Sequence, residues 1–426
     1  MVIQRQDAIR DGTVDIPRDS MGRSFTISRL FPDQQYIMFR VLSKVHEWLY
    51  CDDLSLFKPL RCTIVGQAGS GKSVLLNTIT AVLRSLFQRN NVVKVGCPTG
   101  TAAFNAFGKT LHRLTLQGIS GTYLNNSLSE AKHKTLVQRY EHLLCLIIDE
   151  RSLLTSKLLG TTLQIVSETI FFGAEIDEPC GGLPILILAG DDFQLGGMSE
   201  GAFESGRTGG NKMVRKGREL FRECAQTVFQ LSTIRRVSDA KQDDKDLLGR
   251  IRLGTNVLDA DVEKIQSLHL TNIQRTHGAD MVNDLARNAV YLFYTNEKRI
   301  AHNIRQLATL NTVENPTAII KATNGNRALG KGVACHFAAG SSLTSLICKG
   351  ATVSIQGLNF YPSWGLHNGA CGTVKEIIFK PGESPNNGNH PLYVVVDFPL
   401  YIGSAWDVNE PKVRFTCAVI RGLAMF

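Results

Sequence analysis

Apolar and polar positions along this chain follow two different rhythms. From Phe31 to Leu49 apolar residues recur at helical spacing, at Ile37, Val41, Leu42, Val45 and Leu49. Short, nearly continuous apolar runs follow at Leu60–Val65, Asn91–Gly96, Leu143–Asp149, Pro184–Gly190 and Thr227–Leu231, the length of buried strands. Helical stretches fill the gaps, and the one opening near Gly71 places Leu75, Leu76, Ile79, Val82, Leu83 and Leu86 on one face. This alternation predicts an α/β fold: a parallel sheet with helices on both faces.

The pattern predicts a second unit after Arg236. A helical stretch near Lys245–Leu253, a strand at Val290–Tyr294 and a helix from Glu297 to Leu307 belong to it. After Leu346 short β-type runs (Thr352–Gln356, Gly372–Phe379, Leu392–Phe398) alternate with Gly, Asn and Pro clusters, the texture of a small all-β module. Asn386–Asn389 reads as a hairpin loop within it. The boundaries expected are a polar, poorly ordered lead-in over 1–27, a first domain over 28–240 and a partial second domain over 241–345. The β module then spans 346–412 and a return strand 413–426.

Composition narrows the class. The chain has 426 residues, 43% hydrophobic and 20% charged, which excludes a disordered tail, a fibre and a small disulfide-stapled domain. Its longest apolar runs, such as Leu143–Ile148 and Leu183–Ala189, fall far short of the roughly 18–20 residues of a membrane span, so no membrane partner is expected. Lys and Arg number 47 against 38 Asp and Glu, a net charge of +9, which fits an anionic partner and most simply nucleic acid. None of the 10 cysteines forms a C-x-x-C pair, and Cys62 and Cys145 sit in strand-like runs as small core residues. A reducing compartment is expected.

The sharpest chemical signal is Gly66-Gln67-Ala68-Gly69-Ser70-Gly71-Lys72-Ser73, which fits G-x-x-x-x-G-K-[ST] between an apolar strand and an amphipathic helix. Its glycines let successive N–H groups face a phosphate at a helix N-terminus. Lys72 is the candidate contact for the β- and γ-phosphates, and the Ser73 hydroxyl for Mg²⁺. Asp149 and Glu150 end another buried run. Asp149 suits Mg²⁺ through water, and Glu150 suits activation of the attacking water, which favours hydrolysis. Gln194, in Gly190-Asp191-Asp192-Phe193-Gln194-Leu195, is a candidate γ-phosphate sensor, although strand ends often carry Gly-Asp turns of no chemical role. Arg235 and Arg236 follow the last strand and read equally as a charge-completing arginine or a basic surface turn. No N-K-x-D segment is present to read guanine, so Mg·ATP is the expected ligand.

In this order the motifs resemble those of the Pif-type DNA helicases of superfamily 1B, particularly the helicase segments of Helitron transposons. The resemblance runs from about Leu30 to the last residue. Cys97-Pro98-Thr99-Gly100-Thr101-Ala102-Ala103 with Thr110-Leu111-His112 resembles the family's single-strand-contacting motif. This implies DNA contacts at Pro98, Thr99, Gly100, Thr101 and His112, with helix capping as the plain structural alternative for the Thr-Gly-Thr step. By the same resemblance Arg236 touches the γ-phosphate, and Gln34 or Gln35 reads adenine. Thr295-Asn296 with Asn303 is similar to the opening of a second RecA-like domain, and Lys349–Val353 with Leu366–Val374 to a small β-barrel inserted in it.

The resemblance implies a P-loop RecA-like sheet, an incomplete second RecA-like domain with that barrel, and an ATP-dependent 5′–3′ DNA helicase. Its partners would be single-stranded and forked DNA, and its work DNA repair, recombination or telomere maintenance in the nucleus or the mitochondrion. Two departures stand out. Gly196-Gly197 replaces two prolines usual in the family, and the last two helicase motifs do not follow Val413–Phe426. On that footing weak hydrolysis is expected. The alternative is a nucleotide-gated DNA-binding module or an inactive transposon-derived remnant.

Overall fold

Each apolar run of the first half forms a strand: β1 (Leu60–Gly66), β2 (Val93–Cys97), β4 (Cys145–Ile148), β5 (Ile185–Gly190) and β6 (Val228–Leu231), joined by a two-residue β3 (Lys109–Thr110). The computed structural model describes residues 14–19, 21–117, 129–170, 179–194, 212–234, 242–321, 344–355, 364–367, 369–401, 416–418 and 423–425. They divide into two units, Met1–Leu253 and Gly254–Phe426. The first unit therefore runs past residue 240 and takes in the helix that sequence spacing assigns to the second.

In the first unit the six strands pair in the order β3-β2-β4-β5-β1-β6, and all are parallel. The strands read as unbroken apolar runs because both faces are covered. Alternation divides them. Cys62, Ile64, Cys145, Ile147, Ile185 and Ile187 enter one apolar cluster, while Leu146, Ile148, Leu186 and Leu188 enter another on the opposite face.

Two helices, α1 (Pro32–Tyr50) and α2 (Lys72–Phe87), supply the first cluster with Ile37, Met38, Val41, Val45, Leu75, Leu76, Ile79 and Leu83. Leu86, placed on that face by its spacing, is instead 51% exposed, because Leu83 and Phe87 take the sheet-facing positions of the last turn of α2 and turn Leu86 away. The short α3 (Gly100–Asn105) adds Ala103. The second face is covered by α4 (Leu111–Leu114), α5 (Glu130–Tyr140), α6 (Ser156–Thr169) and α7 (Lys212–Ala225). An eighth helix, α8 (Gln242–Leu253), closes the unit.

The expected loose lead-in is anchored where it is described. Arg18 bridges to Ser24, Asp19 binds Arg23 and Arg29, and the Arg84 guanidinium donates to the Asp15 carbonyl at 2.8 Å.

The second unit begins with α9 (Asp259–Ser267), α10 (Leu270–Asn288, broken at Gly278) and α11 (Asn296–Leu310). Val290–Tyr294 is not a strand: Val290 is 88% and Leu292 92% exposed, and no described strand pairs with them. An antiparallel pair, β7 (Ala318–Lys321) and β8 (Thr344–Ile347), follows. Five further strands, β9 (Thr352–Ile355), β10 (Cys371–Ile378), β11 (Tyr393–Asp397), β12 (Thr416–Ala418) and β13 (Leu423–Met425), pair in the order β12-β11-β10-β9-β13. Among the described residues these pairings run from edge to edge without closing into a barrel. The hairpin expected at Asn386–Asn389 is present, with a short turn over Pro385–Asn387 joining β10 to β11. Val353, Ile355, Val374, Val394, Val396 and Phe398 form the core here.

The tightest packing lies between α6 and α7. A Cβ on Gly160 would stand 2.0 Å from the Met213 carbonyl oxygen, and one on Gly217 would stand 1.9 Å from that of Ser156. Backbone carbonyls cannot give way as a side chain can, so both positions exclude every larger residue. Gly217→Ala is expected to lower stability by about 1–3 kcal/mol, the usual cost of overpacking. Urea denaturation would show it as a lower midpoint at unchanged slope, and an unchanged midpoint would contradict the contact.

Candidate functional site

Because the strands are parallel, their carboxyl ends share one edge of the sheet, and the polar motifs leave the sheet there. The turn from β1 to α2 runs through Gly69 at φ +87° and Gly71 at φ +88°. Both lie in the left-handed region that side chains avoid, which is why glycine stands there. Gly66 has a different reason: a Cβ would meet Ser70 Oγ at 2.5 Å and the Leu231 carbonyl at 3.0 Å. Ser73 is exposed in the first turn of α2. The Lys72 ammonium folds back on the turn and donates to the carbonyls of Gly66 and Gln67, the latter at 3.3 Å. Burial lowers its pKa, against the pull of Asp191, Asp149 and Glu150.

Of the two glutamines, Gln34 lies against this turn. It is 1% exposed, its amide nitrogen faces the Gly71 carbonyl at 3.3 Å, and its amide oxygen accepts from the Phe31 N–H at 3.0 Å. Gln35 instead donates to the Leu30 carbonyl at 2.8 Å.

Asp149 and Glu150 follow β4, inside the electrostatic reach of Lys72. Burial raises the Asp149 carboxyl to about 6, with Glu150 adding to the rise and the Glu150 N–H and Lys72 opposing it. Glu150 takes a left-handed φ of 56°, uncommon for a residue with a side chain. The next residue, Arg151, is 5% exposed and pairs with Asp192 on the neighbouring turn.

That neighbouring turn leaves β5. The Asp191 carboxylate accepts from the Phe193 N–H at 3.1 Å, and its carbonyl accepts from the Gln194 N–H at 3.2 Å, so Gln194 stands exposed at the tip. Arg252, from α8, grips the same carboxylate with two contacts of 2.5 Å and lies 4.5 Å over the Phe193 ring. A cavity of about 400 Å³ opens between these groups, lined by Gly66, Gln67, Asp191, Phe193, Leu231 and Arg252 among others. Sequence reading missed Arg252, Phe193 and Arg151. For Arg252, 61 residues from its partner, no local pattern signals the pairing. Arg151 adjoins the acid pair and was within reach of inspection. Arg235 and Arg236, together with Gly196 and Gly197, lie outside the described residues.

The segments read as DNA contacts come together through sheet pairing. Cys97 pairs with Thr110, so the turn at Pro98, Thr99, Gly100 and Thr101 lies beside that of His112. Thr99 and Thr110 each cap a short helix, accepting from the N–H groups of Ala102 and Arg113 at 3.3 and 3.4 Å. His112 is half-buried, which lowers its pKa. Cations gather at this edge of the sheet: Lys94, Lys109, Arg113, Arg139 and Arg84 repel one another, and the Arg139 guanidinium is pinned to the Arg113 and Leu114 carbonyls at 2.8 and 2.9 Å.

Known proteins place these features in context. The model of the PIF1-like helicase family matches residues 36–255. The ATP-dependent DNA helicase RRM3 of Saccharomyces cerevisiae is 30% identical over 203 residues, 46% of this chain and 25% of that protein. The ATP-dependent DNA helicase PIF1 of Candida albicans is 33% identical over 164 residues, 38% of this chain and 16% of that protein. The matched region thus spans a quarter or less of the length of these relatives. The crystal structure of Pif1 helicase from Candida albicans superposes with a TM-score of 0.51 at 22% identity, covering 87% of this chain and 75% of that one. A Pif1 structure solved for DNA unwinding at forked dsDNA by two coordinating helicases gives 0.53 at 20% identity, covering 87% of this chain and 74% of that one. These two likenesses establish the fold.

The basic edge has a measurable cost. Burial, with Lys109, Arg84 and Arg139 nearby, lowers Lys94 from 10.5 to about 8. Below pH 8 the cost of holding its charge is fully present. Between pH 8 and 10.5 the folded chain sheds the proton before the unfolded one, so stability rises with pH. Lys94→Met is therefore expected to be more stable than the parent at pH 7, by about 1–2 kcal/mol after allowance for solvent screening. That advantage should shrink by pH 10. Denaturant midpoints at the two pH values test it, and an advantage independent of pH would contradict the assignment.

Proposed function

The chain belongs to the PIF1-like helicase family, and from that premise we propose that it is an ATP-dependent DNA helicase. In this reading hydrolysis of Mg·ATP is coupled to movement along single-stranded DNA and to separation of a duplex. One observation carries it: the glycine turn and Lys72 lie within electrostatic reach of Asp149 and Glu150, at the carboxyl edge of a parallel sheet. A triphosphate needs those parts, a ribbon of amides with a cation for its phosphates and acids for a metal and a water.

Lys72 then moves from its own turn carbonyls to the β- and γ-phosphates. Ser73 and Asp149 would hold Mg²⁺, and a hydroxyl and a carboxylate are the hard oxygen donors that ion prefers. When bound, the ion neutralises phosphate charge as the terminal bond breaks. Glu150 orients the attacking water and takes its proton. Gln194 reports the γ-phosphate, and Arg236 adds charge at the same group. Gln34, whose amide lies against the turn at Gly71, is favoured over Gln35 as the contact on the nucleotide side.

DNA would lie across Pro98, Thr99, Gly100, Thr101 and His112, with the basic edge attracting its phosphates. Forked and single-stranded DNA are the proposed partners, with 5′-to-3′ polarity. The relatives' names as ATP-dependent DNA helicases support the helicase reading itself; its proposed setting is DNA repair, recombination or telomere upkeep in the nucleus or mitochondrion.

Lys72→Ala is expected to lower DNA-stimulated ATP hydrolysis by about 10²–10³-fold, the scale of losing one preorganised charge at a phosphoryl or acyl centre. Single-stranded DNA binding at low salt should survive in that variant. Nucleotide binding without any turnover in the parent chain would favour a nucleotide-gated DNA-binding module instead. Failure of the parent to bind single-stranded DNA at low salt would refute the helicase reading.

A further inference from the structure

Arg252 is the last charged residue of α8, one position before the first unit ends. It is planted in the nucleotide cavity rather than in solvent. Its guanidinium makes a two-pronged pair with Asp191, whose side chain is 1% exposed, and keeps only 24% of its own side-chain surface. The same group lies over the Phe193 ring, 4.5 Å from its centroid, a cation–π contact. Arg252 therefore holds the turn at two of its four residues, 191 and 193. The Asp191 carboxylate it grips is also the acceptor for the Phe193 N–H, and the Asp191 carbonyl closes the turn onto the Gln194 N–H. On the other side Arg151 binds Asp192. Gln194 is exposed, as are Asp192 and Phe193, and it enters these contacts only through its backbone N–H, its side-chain amide taking part in none of them.

We infer that Arg252 is a positioning residue for Gln194: by clamping Asp191 and Phe193 it fixes where the Gln194 amide meets the terminal phosphate. A fork with two parallel N–H bonds sets an angle as well as a distance, which a single ammonium cannot do. The clamp also neutralises Asp191, the acid that acts most strongly on Lys72, so the lysine's charge stays available to an anionic ligand. The inference rests on the ATP-hydrolysing reading of this site.

Three single variants of the full chain, Arg252→Gln, Arg252→Lys and Asp191→Asn, and one double variant test it. Hydrogen exchange of the 191–194 amides reads the positioning directly, without any turnover. Steady-state kinetics reads its consequence. Arg252→Gln should lose protection at Phe193 and Gln194 while β5 stays protected. The kcat of DNA-stimulated hydrolysis should drop about ten- to a hundredfold, the scale of a small misplacement of a catalytic group. KM for ATP should change far less. Arg252→Lys, which keeps the charge and the fold should Arg252→Gln fail to fold, should restore only part of kcat. The Asp191→Asn/Arg252→Gln double variant should be no worse than the poorer single one. Unchanged exchange at 193–194 in both Arg252 variants overturns the inference, and so does full kcat, or additive losses in the double variant. If the parent chain hydrolyses no ATP, the functional reading fails on its own, and the exchange data still decide whether Arg252 holds the turn.

Discussion

The first unit turns on one backbone feature, the left-handed turn between β1 and α2. Two glycines with φ near +87° and +88° allow the chain to reverse from a central strand into a helix within a few residues. The consequences reach well beyond the turn. It aims the N-terminus of α2 at the sheet edge, seats Lys72 over the strand ends and gives Gln34 a carbonyl to bind. A side chain at Gly71 would collide with Gln34, at 2.4 Å from a Cβ, so the approach of α1 depends on the same small residue. Parallel pairing then does the rest. With β5 beside β1, β4 beside β5 and all three pointing the same way, their terminal acids emerge on the same edge as the turn.

Charge balance is the second constraint. Three carboxylates, Asp149, Glu150 and Asp191, act on the half-buried Lys72. Left so, the edge would repel a polyanion. Two arginines redress this by pairing with the acids of the β5 turn, Arg252 with Asp191 and Arg151 with Asp192. Among the described residues no arginine pairs with Asp149, and burial raises its carboxyl to about 6. A buried acid whose charge lacks an arginine is the group that a divalent ion would stabilise most, which agrees with its place among the proposed ligands.

Much of this was readable from residue order, for a physical reason. A parallel strand is buried on both faces, so its sequence is an unbroken apolar run, and the residues just past each run must be the edge residues. That logic located Lys72, Asp149, Glu150 and Gln194 without coordinates. It failed where the partner is distant or the surroundings decide. The Arg252–Asp191 pair spans 61 residues and leaves no periodic trace. Gln34 and Gln35 are adjacent and chemically identical, and only the helix's rotation about its axis separates the buried one from its neighbour. Val290–Tyr294 has the composition of a strand, yet composition supplies no pairing partner, and the segment lies exposed. The unit boundary was misplaced because α8 is joined to the first unit through its side chains, which the polar stretch preceding it conceals.

The capping and DNA-contact readings of Thr99 compete on sequence, but the geometry makes them compatible, and Thr110 on the neighbouring turn caps its helix in the same way. A hydroxyl has one proton to give and two lone pairs. Each of these side chains spends a lone pair on a helix N–H, of Ala102 or Arg113. That bond restricts the threonine side chain and still leaves its O–H proton to donate. A phosphate accepts such a donor readily, and the cap removes part of the entropy that a free side chain would lose on binding. The cations at Lys109 and Arg113 stand in or beside the same turns. If DNA lies across these turns as proposed, helix capping would hold them ready for it, and a short helix that frayed at its N-terminus would weaken the phosphate contact and the local fold together.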